Sequence, residues 1–322
     1  MITFSVPAIR HAFRPALTLV VIALASAACS PAGAPATPGG DPARDKLAQV
    51  LARGTLVGYA ELDYPPQSIR LEGVPRAAET ACLSNQITGV EISGFDVEVT
   101  KLVANELGVE PCFVQPTFSE VTAGNWGDRL DIAYASGSIN ADRMTRLYMT
   151  QPYYAVPNHY FVRADAAFES ATDLAGRRIG ACVGCSHEAF LRGELRIPGV
   201  EVALDVSEPV IVGFETEGPG LQAVADGEID AFLAAAPVGL ARIGEGMPLR
   251  LLEPAAFTYY PTGFVDRSSG LDAEAFVARV NEVIGAAHAD GTLLAMSREW
   301  FGTDYTTAAA AFDLDAIGQT IP

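Results

Sequence analysis

Cys182 and Cys185 stand two residues apart in the stretch IGACVGCSHEAFL, followed at once by Ser186 and His187. Thiol, hydroxyl and imidazole at this spacing fit a metal centre, a redox pair, a haem anchor or a loop that holds something else. A haem anchor needs histidine directly after the second cysteine, and Ser186 occupies that place. Zinc needs two ligands beyond the cysteine pair, and only His187 is near. Four histidines in the whole chain leave little material for a histidine-based metal site. A thioredoxin-type pair lies at a helix start after a strand, which this stretch fits. A structural or ligand-loop disulfide explains the same location. The phosphate-loop GxxxxGK[ST], the HExxH pair and the GxSxG elbow are all absent.

The compartment bears on the sulfur chemistry. Arg10, His11 and Arg14 precede an apolar run that ends in small residues at Cys29. That is a secretory signal pattern, and the run is shorter than the roughly 20 residues a spanning helix needs. Residues 1–28 are therefore expected to be a signal peptide. Small residues ending in Cys29 also resemble a lipobox, with Ser26 where leucine is usual; plain cleavage near ASA is the alternative. Residues 29–44, rich in Pro, Gly and Ala, read as a lipidated, disordered linker. With Cys29 lipidated, four of the five cysteines remain. An even number in an exported chain favours disulfides. Neighbourhood favours Cys82–Cys112 and Cys182–Cys185, although four cysteines allow three pairings.

The chain carries 21 basic and 39 acidic residues, a net charge of −18. That argues against a nucleic-acid partner, which wants a basic face, and favours a monomer in solution. The mature length, about 290 residues, is comfortable for two lobes. From Gly54 onward, short apolar strands alternate with amphipathic helices. GTLVGYA, EPCFVQP, RLDIAYASGS, YAVPNHYFVRA and TGFVDRSS read as strands. In GFDVEVTKLVANELGV, Phe95, Val99, Leu102, Val103 and Leu107 recur at helical spacing, and Gly108 is placed to end the helix. Residues 272–302 read as two helices broken at Asp290–Gly291. The alternation predicts α/β layers with mostly parallel strands.

Four segments in order carry a resemblance: GFDVEVTKLVANELGV, DIAYASGSINADRMTRLYMTQPYY, GEIDAFL and ADGTLLAMSREWFG. Together they resemble the family-3 solute-binding proteins, the extracytoplasmic receptors of polar amino-acid ABC importers. The resemblance runs from about Gly54 to Gly302. It implies a two-lobed α/β periplasmic-binding-protein-like fold of type II. Lobe 1 would comprise residues 45–157 and 261–305, lobe 2 residues 158–260, and residues 306–322 a tail beyond the family's usual end. Hinge strands would fall near Val156–Tyr160 and Tyr259–Gly263. The stretch from Gln67 to Ser93 is longer than the usual connection and contains Cys82.

Residue by residue, Arg143 falls on the family's carboxylate-gripping arginine, whose planar fork donates two parallel hydrogen bonds. Ser136 and Ser138 fall on the cleft edge, Tyr64 and Phe118 on its aromatic walls, and Glu61 where some members read a polar ligand group. Gly184, Cys185 and Ser186 match the second lobe's Gly-Thr-Thr loop, whose hydroxyl and N–H groups meet the carboxylate at a helix start. Here Cys185 replaces a hydroxyl donor. The family's second aspartate, which binds the ligand ammonium, falls on Ala235; Glu61 or Glu215 would have to replace it. Restoring that acid as Ala235→Asp is expected to strengthen binding of α-amino acids. Asp230 reads as a structural turn residue. The resemblance implies no cofactor and no metal. The expected partners are a small carboxylate-bearing ligand, a permease and, through Cys29, a membrane. Two other functions stay open: a dehydratase-like enzyme of the same fold with Glu61 as its acid, and a binding protein serving a redox or cofactor pathway.

Overall fold

The computed structural model describes residues 40–314. The expected signal peptide, the Cys29 lipidation site, most of the linker and the end of the tail lie outside the described residues. In the first lobe, Thr55–Tyr59 pairs in parallel with Glu110–Val114. The helix Phe95–Leu107 connects them and buries Phe95, Val99, Val103 and Leu107. It starts at Gly94, where φ is 131° and a Cβ would sit 2.3 Å from the Gln67 carbonyl oxygen, so only glycine fits. A second sheet places Pro261–Asp266 between Ala133–Ser138 and Leu147–Met149. This lobe therefore draws on both flanks of the chain.

The second lobe is built on one sheet in the order Val210–Phe214, Arg178–Cys182, Ala231–Ala235, Val156–Arg163, Leu249–Leu251. Arg178–Cys182 runs parallel to both of its neighbours. Val156–Arg163 runs against Ala231–Ala235, because it brings the chain in from the other lobe. Phe257–Tyr259 takes the chain back and pairs antiparallel with the start of that strand, Tyr259 opposite Val156. The two crossings thus lie side by side. The pairing is mixed rather than mostly parallel. Short return strands and the incoming crossing strand supply the antiparallel ladders, which strand–helix alternation alone does not reveal. Asp230 sits where a structural role was expected: its carboxylate accepts from the Arg178 N–H at 2.9 Å, tying neighbouring strands.

The long connection is organised by two devices. Cys82 and Cys112 form a disulfide that ties it to the strand Glu110–Val114. Arg76 donates to the carbonyls of Cys82 and Leu83 at 2.7 and 2.9 Å, and to that of Gln86. The described part of the tail docks on the first lobe. Gln151 donates to the carbonyls of Ala309 and Phe312, and the Phe312 ring lies 4.7 Å from that of Tyr260. No helix among the described residues is long and apolar enough to cross a membrane.

Candidate functional site

Arg143 opens a short turn, Arg143–Thr145, just after the strand Ala133–Ser138. Only 2% of it is exposed. Its Nη1 donates to the Ser138 carbonyl at 2.9 Å and the Ser186 hydroxyl at 3.4 Å; Nη2 donates to the Gly184 carbonyl at 2.9 Å. One guanidinium so touches both lobes. Phe118 and Phe264 lie beside its charge, 5.2 and 5.6 Å from ring centroid to guanidinium carbon. Burial lowers its pKa to about 10, which leaves it charged at neutral pH. Two of its five N–H donors remain for a ligand among the described residues.

Arg143 faces a cavity between the two lobes. Phe118 forms one wall from the first turn of a helix whose start is fixed by a Thr117–Glu120 capping box. Tyr64 and Tyr259 form others. Ser136 and Ser138 both line the cavity, but their hydroxyls are committed within the protein. Ser136, at φ 50°, donates to Asp96 at 2.7 Å and accepts from Tyr154 at 2.7 Å. Ser138 Oγ donates to the Ile139 carbonyl and accepts from the Tyr260 N–H, both at 3.1 Å. The cost of the left-handed Ser136 backbone is thus offset by a buried network that also holds Asp96.

The cysteine stretch forms the opposite wall. Cys182 ends a strand, Gly184 turns the chain at φ 74°, and the helix Ser186–Leu191 follows Cys185. Cys182 and Cys185 are joined by a disulfide. Cys182, Cys185 and Ser186 line the cavity. The N–H groups expected to meet an anion are partly engaged inside the loop. Gly184 N–H donates to Glu188 at 2.8 Å, and Cys185 N–H to the Cys182 carbonyl at 3.3 Å. What Gly184 presents to Arg143 is its carbonyl. Potential metal-ligating atoms of Cys182, Cys185 and His187 lie within 4.8 Å of one another, with the two sulfurs bonded together.

Three acids line the cavity: Glu61, Glu215 and Glu217. Burial raises the Glu61 carboxyl to about 7, a Tyr59 hydrogen bond opposing the shift. Burial and then Glu61 raise Glu217 to about 8, a Tyr64 hydrogen bond opposing it. Behind the cleft, burial raises Asp96 to about 7 against hydrogen bonds from Tyr153 and Ser136. Glu217, His187 and Tyr259 are lining residues that sequence reasoning did not place in the site. Glu217 opens the helix Glu217–Ala225, where an acid reads as favoured by the helix dipole alone. Ala235 is the position on which the family's ammonium-binding aspartate falls. It is fully buried, pairs with Asn158 inside the sheet and is not among the residues lining the cavity.

Residues 82–303 match the family described as bacterial extracellular solute-binding proteins, family 3. The chain is 26% identical over 262 residues to the L-cystine-binding protein TcyJ of Escherichia coli, covering 81% of this chain and 87% of that protein. A crystal structure titled as Tv2483 bound to L-arginine shares the fold at a TM-score of 0.66, with 19% identity, over 84% of this chain and 99% of that one. An ancestral amino acid-binding protein, AncCDT-1, described as a precursor of cyclohexadienyl dehydratase, gives 0.64 at 20% identity, over 80% of this chain and 99% of that one.

Proposed function

The chain belongs to the bacterial extracellular solute-binding proteins of family 3, and we propose that it is a monomeric receptor delivering a small carboxylate-bearing ligand, an amino acid or related organic acid, to an ABC importer. The observation that carries this reading is Arg143. It is a buried, charged guanidinium that spans the cleft, with donors left over at the cavity between the lobes. A carboxylate there accepts the remaining N–H groups in a low-dielectric site, where charge-assisted hydrogen bonds are strongest. Because the ligand touches both lobes, it shifts the open–closed population toward closure about the paired crossing strands, the proposed hinge. A mature chain end lipidated at Cys29 would tether the receptor at the extracytoplasmic membrane face. A thermal-shift screen over amino acids, opines and small organic acids tests the reading. A true ligand at 100 times its dissociation constant adds about 2.7 kcal/mol; a screen in which no carboxylate stabilises the protein rejects it.

One observation favours a second reading. Glu61 and Glu217 are carboxyls held partly protonated near neutral pH, which is what a general acid needs. Product formation from a cyclic carboxylate would identify the protein as a dehydratase-like enzyme; unchanged substrate leaves it a receptor.

A further inference from the structure

The Cys182–Cys185 disulfide lies in the cavity lining, whereas Cys82 and Cys112 are buried away from it, 6% and 0% exposed. The two cleft sulfurs have different surroundings. Cys185 is half-buried and Cys182 is buried against His187. Asn158 fixes the tautomer of that ring. Its amide nitrogen donates to the carbonyls of Val156 and Phe257 at 3.2 and 3.3 Å, so its oxygen faces His187 Nε2 at 2.7 Å. Nε2 therefore carries the proton and Nδ1 keeps its lone pair. Burial, then the charge of Arg143, lowers the His187 pKa to about 3, so the ring stays neutral. Nδ1 lies 3.8 Å from the Cys182 sulfur, within reach of a thiol donor. Glu217 Oε1, at 3.6 Å, is beyond hydrogen-bond distance. In the disulfide the Cys182 sulfur has no proton to give. A buried acceptor is thus aimed at a sulfur that can satisfy it only once the disulfide opens.

Arg143 holds the chain on both sides of Cys185. It donates to the Gly184 carbonyl at 2.9 Å and to the Ser186 hydroxyl at 3.4 Å. A carboxylate on its remaining donors therefore lies beside the half-buried sulfur. We infer that the Cys182–Cys185 disulfide is redox-active and takes two electrons from small thiols that bear a carboxylate, the attack falling on Cys185. The carboxylate on Arg143 rests on the receptor reading above; the thiol chemistry goes beyond it. The ligand thiolate attacks Cys185 Sγ, because access selects the sulfur attacked. A bond forms between the ligand sulfur and Cys185, the Cys182–Cys185 bond breaks, and its electron pair leaves on Cys182. Cys182 takes up the proton that the ligand thiol shed, and its S–H donates to His187 Nδ1. A second thiol then attacks the ligand sulfur of the mixed disulfide, and Cys185 leaves with the second proton as a thiol. Two ligand thiols are oxidised to one disulfide, and the protein disulfide is reduced to a dithiol.

The test mixes the oxidised full mature chain with mercaptopropionate or with the neutral thiol mercaptoethanol, at equal thiolate concentration. Free cysteines are alkylated at timed intervals and mapped by peptide mass spectrometry. Cys82–Cys112 serves as the control within the same molecule. Cys182 and Cys185 should become alkylated at least tenfold faster than Cys82 and Cys112, and at least tenfold faster with mercaptopropionate than with mercaptoethanol. Arg143→Ala should erase the preference between the two thiols. His187→Ala, which removes the acceptor waiting for the Cys182 thiol, should slow opening by both. If the cleft disulfide opens no faster than Cys82–Cys112 with either thiol, the redox assignment is overturned, whatever binds at Arg143. Equal rates with the two thiols overturn the carboxylate-bearing substrate. The thermal-shift screen requires no thiol and decides the receptor reading separately. Should either variant fail to fold, the wild-type rates alone still uphold or overturn the proposal.

Discussion

At the scale of single residues, the cleft is a set of buried groups whose ordinary protonation is disturbed by desolvation. Glu217, raised to about 8, is the sharpest case. A carboxyl whose folded pKa lies above its unfolded value contributes stability at low pH that is lost as pH rises through the folded pKa. The stability difference between wild type and Glu217→Gln, measured by denaturant unfolding of the ligand-free protein, should therefore move against the wild type between about pH 4.5 and about pH 8; a difference flat across that window contradicts the burial of this group. Ala235→Asp should unfold more easily than wild type by about 3 kcal/mol, because it takes a carboxylate out of water at a fully buried position. A variant that keeps wild-type stability and gains amino-acid affinity would return Ala235 to the cleft. The residues that carry family spacing, Arg143, Tyr64, Phe118 and Glu61, were legible in the sequence as candidates, and all four line the cavity. Glu217 and His187 were not. An acid at a helix start and a histidine beside a cysteine pair each have an ordinary local explanation, and only tertiary structure brings them face to face.

At the scale of elements, the two disulfides answer to different physics. Cys82–Cys112 closes 30 residues of chain around the long connection. Its loss, as Cys82→Ser with Cys112→Ser, should cost about 3.5 kcal/mol by the loop-closure relation and leave ligand affinity nearly unchanged, since neither cysteine lines the cavity. Cys182–Cys185 closes only three residues and forms part of the cleft wall. The double serine variant should lose less stability and change affinity more. Equal effects of the two pairs on melting and on binding would contradict this division. The strand and helix order was readable from hydrophobic periodicity, and the helix Phe95–Leu107 falls where its apolar spacing and Gly108 put it. Strand direction was not readable. Nothing local to Val156–Arg163 reveals that it enters its sheet from the neighbouring lobe and so runs against Ala231–Ala235.

At the scale of the whole molecule, the account is of two lobes held across a cleft by a ligand that touches both walls. Besides Arg143 and the Tyr64–Glu217 hydrogen bond, few polar ties among the described residues cross it. Ala141 N–H donates to the Arg196 carbonyl at 3.0 Å, and Arg242 pairs with a largely exposed Asp63 at 3.2 Å. The second is a surface ion pair, worth about 1 kcal/mol at most and screened by salt. Closure should therefore depend on ligand far more than on ionic strength. Small-angle scattering is expected to show a smaller radius of gyration with bound amino acid, and nearly the same ligand-free radius at low and high salt. The most direct measurement is calorimetric titration of wild type and Arg143→Ala with the strongest carboxylate found in the thermal-shift screen. The account predicts a saturable heat with wild type and none with Arg143→Ala at the same concentrations, both proteins being folded by circular dichroism. Equal affinity for the two would show that the ligand does not sit on Arg143, and would contradict the account at its centre.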